Sequence, residues 1–237
     1  MAAERAGLVI VAAGAGQRLG AGRPKALVPL GGRPLVEHAL ARLAALPWLD
    51  PLVVVGPAAQ RAELAALLAR QPRAVLLVDG GDRRQDSVLA GVRAVPADRD
   101  CVLVHDAARP FVPIEPLAEL AAAARRLGAA LLAVPVPDTL KQARADDPGL
   151  CAGTVPRERL RAAQTPQAFR RALLVELLER ADREGRSVTD EAALFEAAGL
   201  SVGFVEGSAR NFKITTAQDL DLAEALLAAA TQREKGT

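Results

Sequence analysis

Five short apolar runs recur along the chain with no polar residue alternating inside them: Leu8–Ala12, Leu52–Val55, Val75–Val78, Val102–Val104 and Ala130–Val134. A strand with one wet face alternates polar and apolar side chains, so a strand without alternation must be covered on both faces. Between the runs lie stretches with helical apolar spacing: Leu35–Leu46, Ala58–Ala69, Ser87–Ala94 and Ile114–Leu127. This alternation predicts an α/β protein with a mostly parallel central sheet between two layers of helices. Gly128 after Leu127 reads as a helix end, and Thr216-Ala-Gln-Asp219 as a capping box opening a last helix. Helices are also expected over 170–184 and 190–198, and strands over 201–205 and 211–215. A chain of 237 residues suits one domain with an appendage.

One segment breaks the rhythm. Residues 135–169, PVPDTLKQARADDPGLCAGTVPRERLRAAQTPQAF, are rich in proline and polar side chains. Asp147-Pro148-Gly149 reads as a turn between two extended pieces, which predicts an arm or hairpin projecting from the sheet. A mobile surface loop is the alternative, but a compact domain seldom carries so long a structureless loop without a use.

Composition removes several classes of function. The net charge is +2, too small to mark a nucleic-acid or membrane surface, and five Phe, one Trp and no Tyr offer little for stacking on bases. No run of about 18 apolar residues spans a membrane. The apolar stretch of the N-terminal MAAERAGLVIV runs into glycines at Gly14 and Gly16 without a convincing cleavage site and reads as a first strand. Cys101 and Cys151 have no partner at metal or redox spacing, which fits a reduced, cytoplasmic protein.

The first strand runs into VIVAAGAGQRLGAGRPKAL, residues 9–27. A dinucleotide-binding fingerprint needs G-x-G-x-x-G opening a helix. Here Gly14 and Gly16 are followed by Gly20, one residue late, and Pro24 keeps Arg23 from helical angles. The second strand ends Val55-Gly56-Pro57 without the acidic residue that binds a ribose. A P-loop needs a hydroxyl after its lysine, and Lys25 is followed by Ala26. The remaining reading is a long loop that wraps a nucleoside triphosphate, its glycines letting backbone amides approach phosphate while Arg18 and Lys25 supply charge. Two solvated surface cations are the alternative.

The loop resembles the G-x-G-x-R…P-K signature of sugar-nucleotide pyrophosphorylases and related nucleotidyltransferases. GGDRRQDSVLAGV (80–92), VLVHDAARPFV (102–112), PVPDTLK (135–141), QTPQAF (164–169), VTDEAALFE (188–196) and NFKITTAQDL (211–220) narrow it. In that order they resemble the 2-C-methyl-D-erythritol 4-phosphate cytidylyltransferase family over nearly the whole chain. The resemblance implies a Rossmann-like, three-layer nucleotidyltransferase (GT-A-like) domain over 1–237 with a β-arm at 136–160 inserted in it. It implies CTP and methylerythritol phosphate as substrates, Mg²⁺ or another divalent cation, and a homodimer clasped through the arm. A ribitol 5-phosphate cytidylyltransferase of the same fold and a non-catalytic nucleotide-binding module are the competing readings.

By the same resemblance Arg18, Lys25 and Lys213 hold the triphosphate and stabilise charge on the α-phosphoryl group. Ala12, Ala13, Gly14, Ala15 and Gly16, with Gly81, Asp82 and Ser87, surround the nucleotide; Ser87 also reads as a helix-start residue. Asp106, at the end of a buried strand, binds Mg²⁺ or substrate hydroxyls, or makes a plain salt bridge with Arg109. Arg109, Thr139, Arg157, Thr165, Thr189 and Lys213 take the acceptor, Arg157 reaching its phosphate across the dimer; Thr189 also suits a helix N-cap. His105 reads as packed at the strand end, and His38 receives no role.

Overall fold

The computed structural model describes residues 4–14, 16 and 19–235, with the side chains of 233–235 left aside. In chain order the elements are β1 (Ala6–Val11), a hairpin of β2 (Pro29–Leu30) and β3 (Arg33–Pro34), α1 (Leu35–Ala44), β4 (Leu49–Gly56), α2 (Arg61–Leu68), β5 (Val75–Asp79), α3 (Arg84–Ala94), β6 (Cys101–Asp106) and α4 (Leu117–Leu127). Then come β7 (Ala129–Pro135), β8 (Leu140–Ala143), β9 (Cys151–Val155), β10 (Arg161–Arg170), α5 (Arg171–Arg183), α6 (Ala192–Ala197), β11 (Val202–Glu206) and α7 (Ala217–Lys235). Seven strands form the main sheet in the order β11-β7-β10-β6-β1-β4-β5. Every neighbouring pair is parallel except the two that β10 makes, with β6 and with β7.

Alternate residues of β1 supply the two sides of the core. Leu8 and Ile10 join Leu40 and Leu43 of α1, Leu64 of α2 and Leu120 of α4. Val9 faces the other way, among Val88 and Val92 of α3, Leu174 and Leu178 of α5 and Phe195 of α6. Each such buried side chain favours the fold by roughly 1.5–3 kcal/mol, which is why the apolar runs of β1, β4, β6 and β7 show no alternation; the run at Val75–Val78 is the edge strand β5, which is not covered on both faces as expected and leaves Leu76 exposed. A smaller cluster docks α7, through Leu220, Ala223 and Leu227, on Leu30, Leu35 and Ile214. The sheet changes direction of growth between β1 and β6: β4 and β5 lie on one side, the later strands on the other. The carboxyl ends of β1 and β6 therefore flank the crevice where open α/β sheets bind ligands.

Most expected elements are present, with shifted ends. α3 starts three residues before Ser87, at Arg84, because the Asp86 carboxylate accepts the Arg83 N–H at 3.1 Å and closes the first turn. Gly128 ends α4 with φ 104°, and Asp219 accepts the Thr215 and Thr216 N–H groups at 2.8 Å as the capping box required. Asp147-Pro148-Gly149 turns the isolated β8–β9 pair, with the Leu150 N–H donating to the Asp147 carbonyl oxygen at 3.0 Å.

Two expectations are corrected. The polar segment 135–169 is not all arm: its last part is β10, a central strand. Gln164, Thr165 and Gln167 are buried there, their polarity satisfied by side-chain hydrogen bonds. Residues 211–215 are not a strand. They are an irregular segment held by the Ile214 N–H on the Ala108 carbonyl oxygen and by the buried Asn211 amide on Gln164 and Thr165.

Candidate active site

A cleft of about 490 Å³ opens over the carboxyl ends of β1 and β6. Three segments form its walls: the turn after β1, the β5–α3 connection with the first turn of α3, and the end of β6. Lys213 closes it. The turn after β1 is tight. Gly16 has φ +71°, and a Cβ there would lie 3.0 Å from the Lys25 nitrogen and Cβ. The Lys25 N–H in turn donates to the Gly14 carbonyl oxygen at 3.2 Å. Lys25 is thus brought back to the mouth of the loop by the loop's own backbone. Opposite it, the Gly80 N–H donates to the Gly56 carbonyl oxygen at 2.8 Å, and the Gly81 N–H donates to the Ser87 hydroxyl at 3.2 Å. A Cβ on Gly80 would stand 2.6 Å from the Ala13 Cβ, so only glycine lets the two walls meet.

Asp106 is the electrostatic centre. Lys213 Nζ donates to its Oδ2 at 2.7 Å. Arg84 donates to its Oδ1 through Nη2 at 3.1 Å and Nε at 3.3 Å. The same guanidinium sends Nη1 to both oxygens of Glu191, at 2.5 and 2.6 Å. Burial works against the Asp106 charge, but Arg84, Lys213 and Arg109 outweigh it and hold the carboxyl well below the usual range. Burial pushes the Glu191 carboxyl up, opposed by Arg84.

Behind Asp106 lies a buried polar chain. The Thr165 hydroxyl accepts the Asp106 N–H at 3.0 Å and lies 3.1 Å from His105 Nδ1. His105 Nε2 lies 3.1 Å from the Arg109 carbonyl oxygen, which can only accept. The ring therefore carries a proton on Nε2, and in the neutral imidazole Nδ1 accepts the Thr165 hydroxyl proton. Burial lowers its pKa to about 4, so His105 is a packed residue, as expected. Arg109 donates through Nη1 to the Asn211 carbonyl oxygen at 2.6 Å and anchors the segment that carries Lys213.

The cleft brings together Ala12, Ala13, Gly14, Gly16, Lys25, Gly81, Asp82, Ser87, Asp106 and Lys213. Ala15 and Arg18 lie outside the described residues. The alternative of a plain Asp106–Arg109 salt bridge is not realised; Asp106 pairs with Arg84 and Lys213. Thr165 faces the interior, with its hydroxyl engaged, rather than the cleft. Ser87 sits inside the first turn of α3 and ties down the Gly81 loop rather than starting the helix. Thr189 is exposed, and the neighbouring Asp190 caps α6 through the Ala193 N–H. Thr139 and Arg157 are exposed at the base of the β8–β9 hairpin, where Arg157 donates to the Pro137 carbonyl oxygen. Arg84 and Glu191 were missed. In the sequence they read as surface charges of helix starts, and their partners lie 22 and 107 residues away.

A divalent cation on Asp106 does not fit this donor set. Both carboxylate oxygens already carry a cationic side chain, and the described residues contain no group of three or more His, Cys, Asp or Glu able to hold a metal ion. What the cleft offers is fixed backbone edges on one side and converging positive charge on the other, a receptacle for a polyanion bearing a flat polar group.

The family model described as 2-C-methyl-D-erythritol 4-phosphate cytidylyltransferase matches residues 7–229. The chain is 42% identical over 228 residues to the enzyme of that name from Halalkalibacterium halodurans, covering 95% of this chain and 98% of that one. It is 48% identical over 229 residues to the one from Aromatoleum aromaticum, covering 92% and 94%. Among solved structures it is similar to 4-diphosphocytidyl-2C-methyl-D-erythritol synthase from Anaerococcus prevotii, with TM-score 0.84 at 28% identity over 95% of this chain and 97% of that one. It is also similar to the Thermus thermophilus 2-C-methyl-D-erythritol 4-phosphate cytidylyltransferase, with TM-score 0.75 at 38% identity over 94% and 98%.

Proposed function

The chain belongs to the 2-C-methyl-D-erythritol 4-phosphate cytidylyltransferase family, and from that premise we propose how its cleft performs the transfer. The reaction takes a cytidylyl group from CTP to 2-C-methyl-D-erythritol 4-phosphate, giving 4-CDP-2-C-methyl-D-erythritol and pyrophosphate, a step toward isoprenoid precursors. The observation that carries the mechanism is the convergence of Lys25, Arg84 and Lys213 on a cleft at the sheet's switch point. Among its described lining residues there is neither cysteine nor histidine, and the one hydroxyl, on Ser87, is tied to Gly81.

That arrangement suits direct displacement. The acceptor phosphate is already an anion, so its oxygen attacks the α-phosphorus in line and pyrophosphate leaves from the opposite side. The obstacle is repulsion between two polyanions, and the remedy is preorganised positive charge that needs no rearrangement in the transition state. Lys25 and Lys213, with Arg18 from the loop, take the phosphates. The backbone of Ala12, Ala13 and Gly14, the Gly81 loop and Asp82 take the cytosine and ribose. Asp106, kept ionised by its cations, orients Lys213 and accepts from a substrate hydroxyl. We assign the divalent cation to the triphosphate, as part of the nucleotide substrate, and derive no step through it.

Arg157 and Thr139 serve a partner's cleft in a homodimer formed through 136–160, and Thr189 lies on the acceptor side. Arg109 acts by anchoring the Lys213 segment. CTP is an intracellular metabolite, so the same reading gives a cytoplasmic enzyme.

The test is pyrophosphate release from the purified chain with Mg²⁺ and CTP, UTP, GTP or ATP, each with methylerythritol phosphate, ribitol phosphate or no acceptor. Release confined to CTP with methylerythritol phosphate is expected. Release with CTP and ribitol phosphate instead would overturn the acceptor assignment. CTP binding without release from any pair would overturn the roles given to Lys25 and Lys213.

A further inference from the structure

Three consecutive residues at the start of α3 are each tied to the last turn of α5 or to the segment that follows it. Arg83 pairs with Asp182, Arg84 with Glu191, and Gln85 with the Arg186 carbonyl oxygen at 3.0 Å and the Val188 N–H at 3.3 Å. Glu191 stands apart from the other two acidic or polar partners. Its side chain is only 1% exposed, and both its oxygens engage one guanidinium nitrogen of Arg84. Burying a carboxylate is costly, and holding a surface loop does not require it.

The geometry beyond Arg84 supplies a reason. Held at Nη1 by Glu191, Arg84 turns its Nε–Nη2 edge to Asp106 at an angle that brings both donors onto Oδ1, which leaves Oδ2 to Lys213 at 2.7 Å. A guanidinium not so committed prefers to grip a carboxylate through both oxygens. Arg84 would then displace Lys213 from Asp106.

We infer that Glu191 is a positioning residue for the transfer: by fixing the Arg84 fork it reserves one Asp106 oxygen for Lys213 and so sets the ammonium over the reacting phosphates. The inference rests on the reading of the cleft given above. It predicts a loss in the chemical step rather than in nucleotide capture, because Lys213 is assigned to charge that develops at the α-phosphoryl group.

Steady-state kinetics with CTP and methylerythritol phosphate on the full chain test it. Glu191→Gln is expected to lower kcat by about tenfold or more while leaving the KM for CTP within about twofold. Arg84→Lys keeps the charge but cannot bridge two carboxylates, and it is expected to fall similarly. The double variant is expected to be no worse than the poorer single one, because the two act as a unit. Wild-type kcat in Glu191→Gln, a loss confined to the KM for CTP, or losses that multiply in the double variant would each overturn the inference. If Glu191→Gln loses cooperative unfolding, Arg84→Lys decides alone, since that side chain is 26% exposed, and an unchanged kcat there overturns the inference as well. A wild-type chain inactive on this substrate pair overturns the reading of the cleft itself.

Discussion

Mild acid should loosen the protein through one ring. His105 is fully buried, and in the chain Asp106 N–H to Thr165 hydroxyl to His105 to Arg109 carbonyl oxygen the neutral imidazole accepts the Thr165 hydroxyl proton at Nδ1, which an imidazolium would leave without that acceptor. Burial holds its pKa at about 4, against the pull of Asp106, whereas the unfolded chain presents an ordinary histidine near 6.5. A depressed native pKa means that the unfolded state takes the proton first as the pH falls. The stabilisation is therefore complete above about pH 6.5 and lost progressively as the pH drops toward 4. The interval corresponds to about 3 kcal/mol in full, of which about 2 kcal/mol is gone by pH 5.

Urea unfolding of wild type and His105→Gln at several pH values between 8 and 4.5 measures this directly. The variant starts less stable, because it lacks the ring. The wild-type advantage should then shrink by about 2 kcal/mol between pH 8 and pH 5, since only wild type carries the titrating ring. An advantage that stays constant over that range would refute the buried neutral imidazole and the proton order assigned to Thr165.

Other outcomes follow from single contacts. Gly91→Ala places a Cβ 2.5 Å from Val9 Cγ1 and 2.6 Å from Val55 Cγ2, inside the packing of α3 on the sheet. Overpacking of this kind costs ~1–3 kcal/mol, read by chemical denaturation; unchanged stability would contradict the tight α3–sheet contact. Lys213→Ala should reduce kcat by roughly a hundredfold or more with little change in Tm, because the lysine is 38% exposed; a kcat within a few-fold of wild type would remove it from the chemistry. Mixing Arg157→Ala and Lys25→Ala subunits should recover part of the activity through hybrid dimers. Hybrids that form, as resolved by native mass spectrometry, and stay inactive would contradict a site shared across the arm.

The sheet and the glycine-rich turn after β1 were legible because local rules fixed them. Buried parallel strands need unbroken apolar runs, and a loop that doubles back to the mouth of the cleft needs Gly16 before Lys25. The Asp147-Pro148-Gly149 turn was legible for the same reason. What escaped was structure made by distant polar pairs. β10, just after the arm at 136–160, was not expected as a strand because Gln164, Thr165 and Gln167 carry no apolar signature; the hydrogen bonds that allow their burial go to Asn211, Ser208, His105 and Asp190. Residues 211–215 looked like a strand because Phe212 and Ile214 alternate, yet the Arg109 and Asn211 bonds bend that backbone into a support for Lys213. Arg84 and Glu191 lay inside the quoted stretches 80–92 and 188–196 but received no role, since an Arg–Glu pair 107 residues apart looks like two solvated charges until the fold closes.

In the mechanism we propose, the cleft works by placing charge around a direct displacement, with no covalent link to the protein. The stereochemical course at the α-phosphorus tests this most directly. Turnover of the Sp diastereomer of the α-thio analogue of CTP with methylerythritol phosphate, followed by assignment of the product's configuration by ³¹P NMR, should show inversion. Retention would require two successive displacements and a protein-bound cytidylyl group, and would contradict the account.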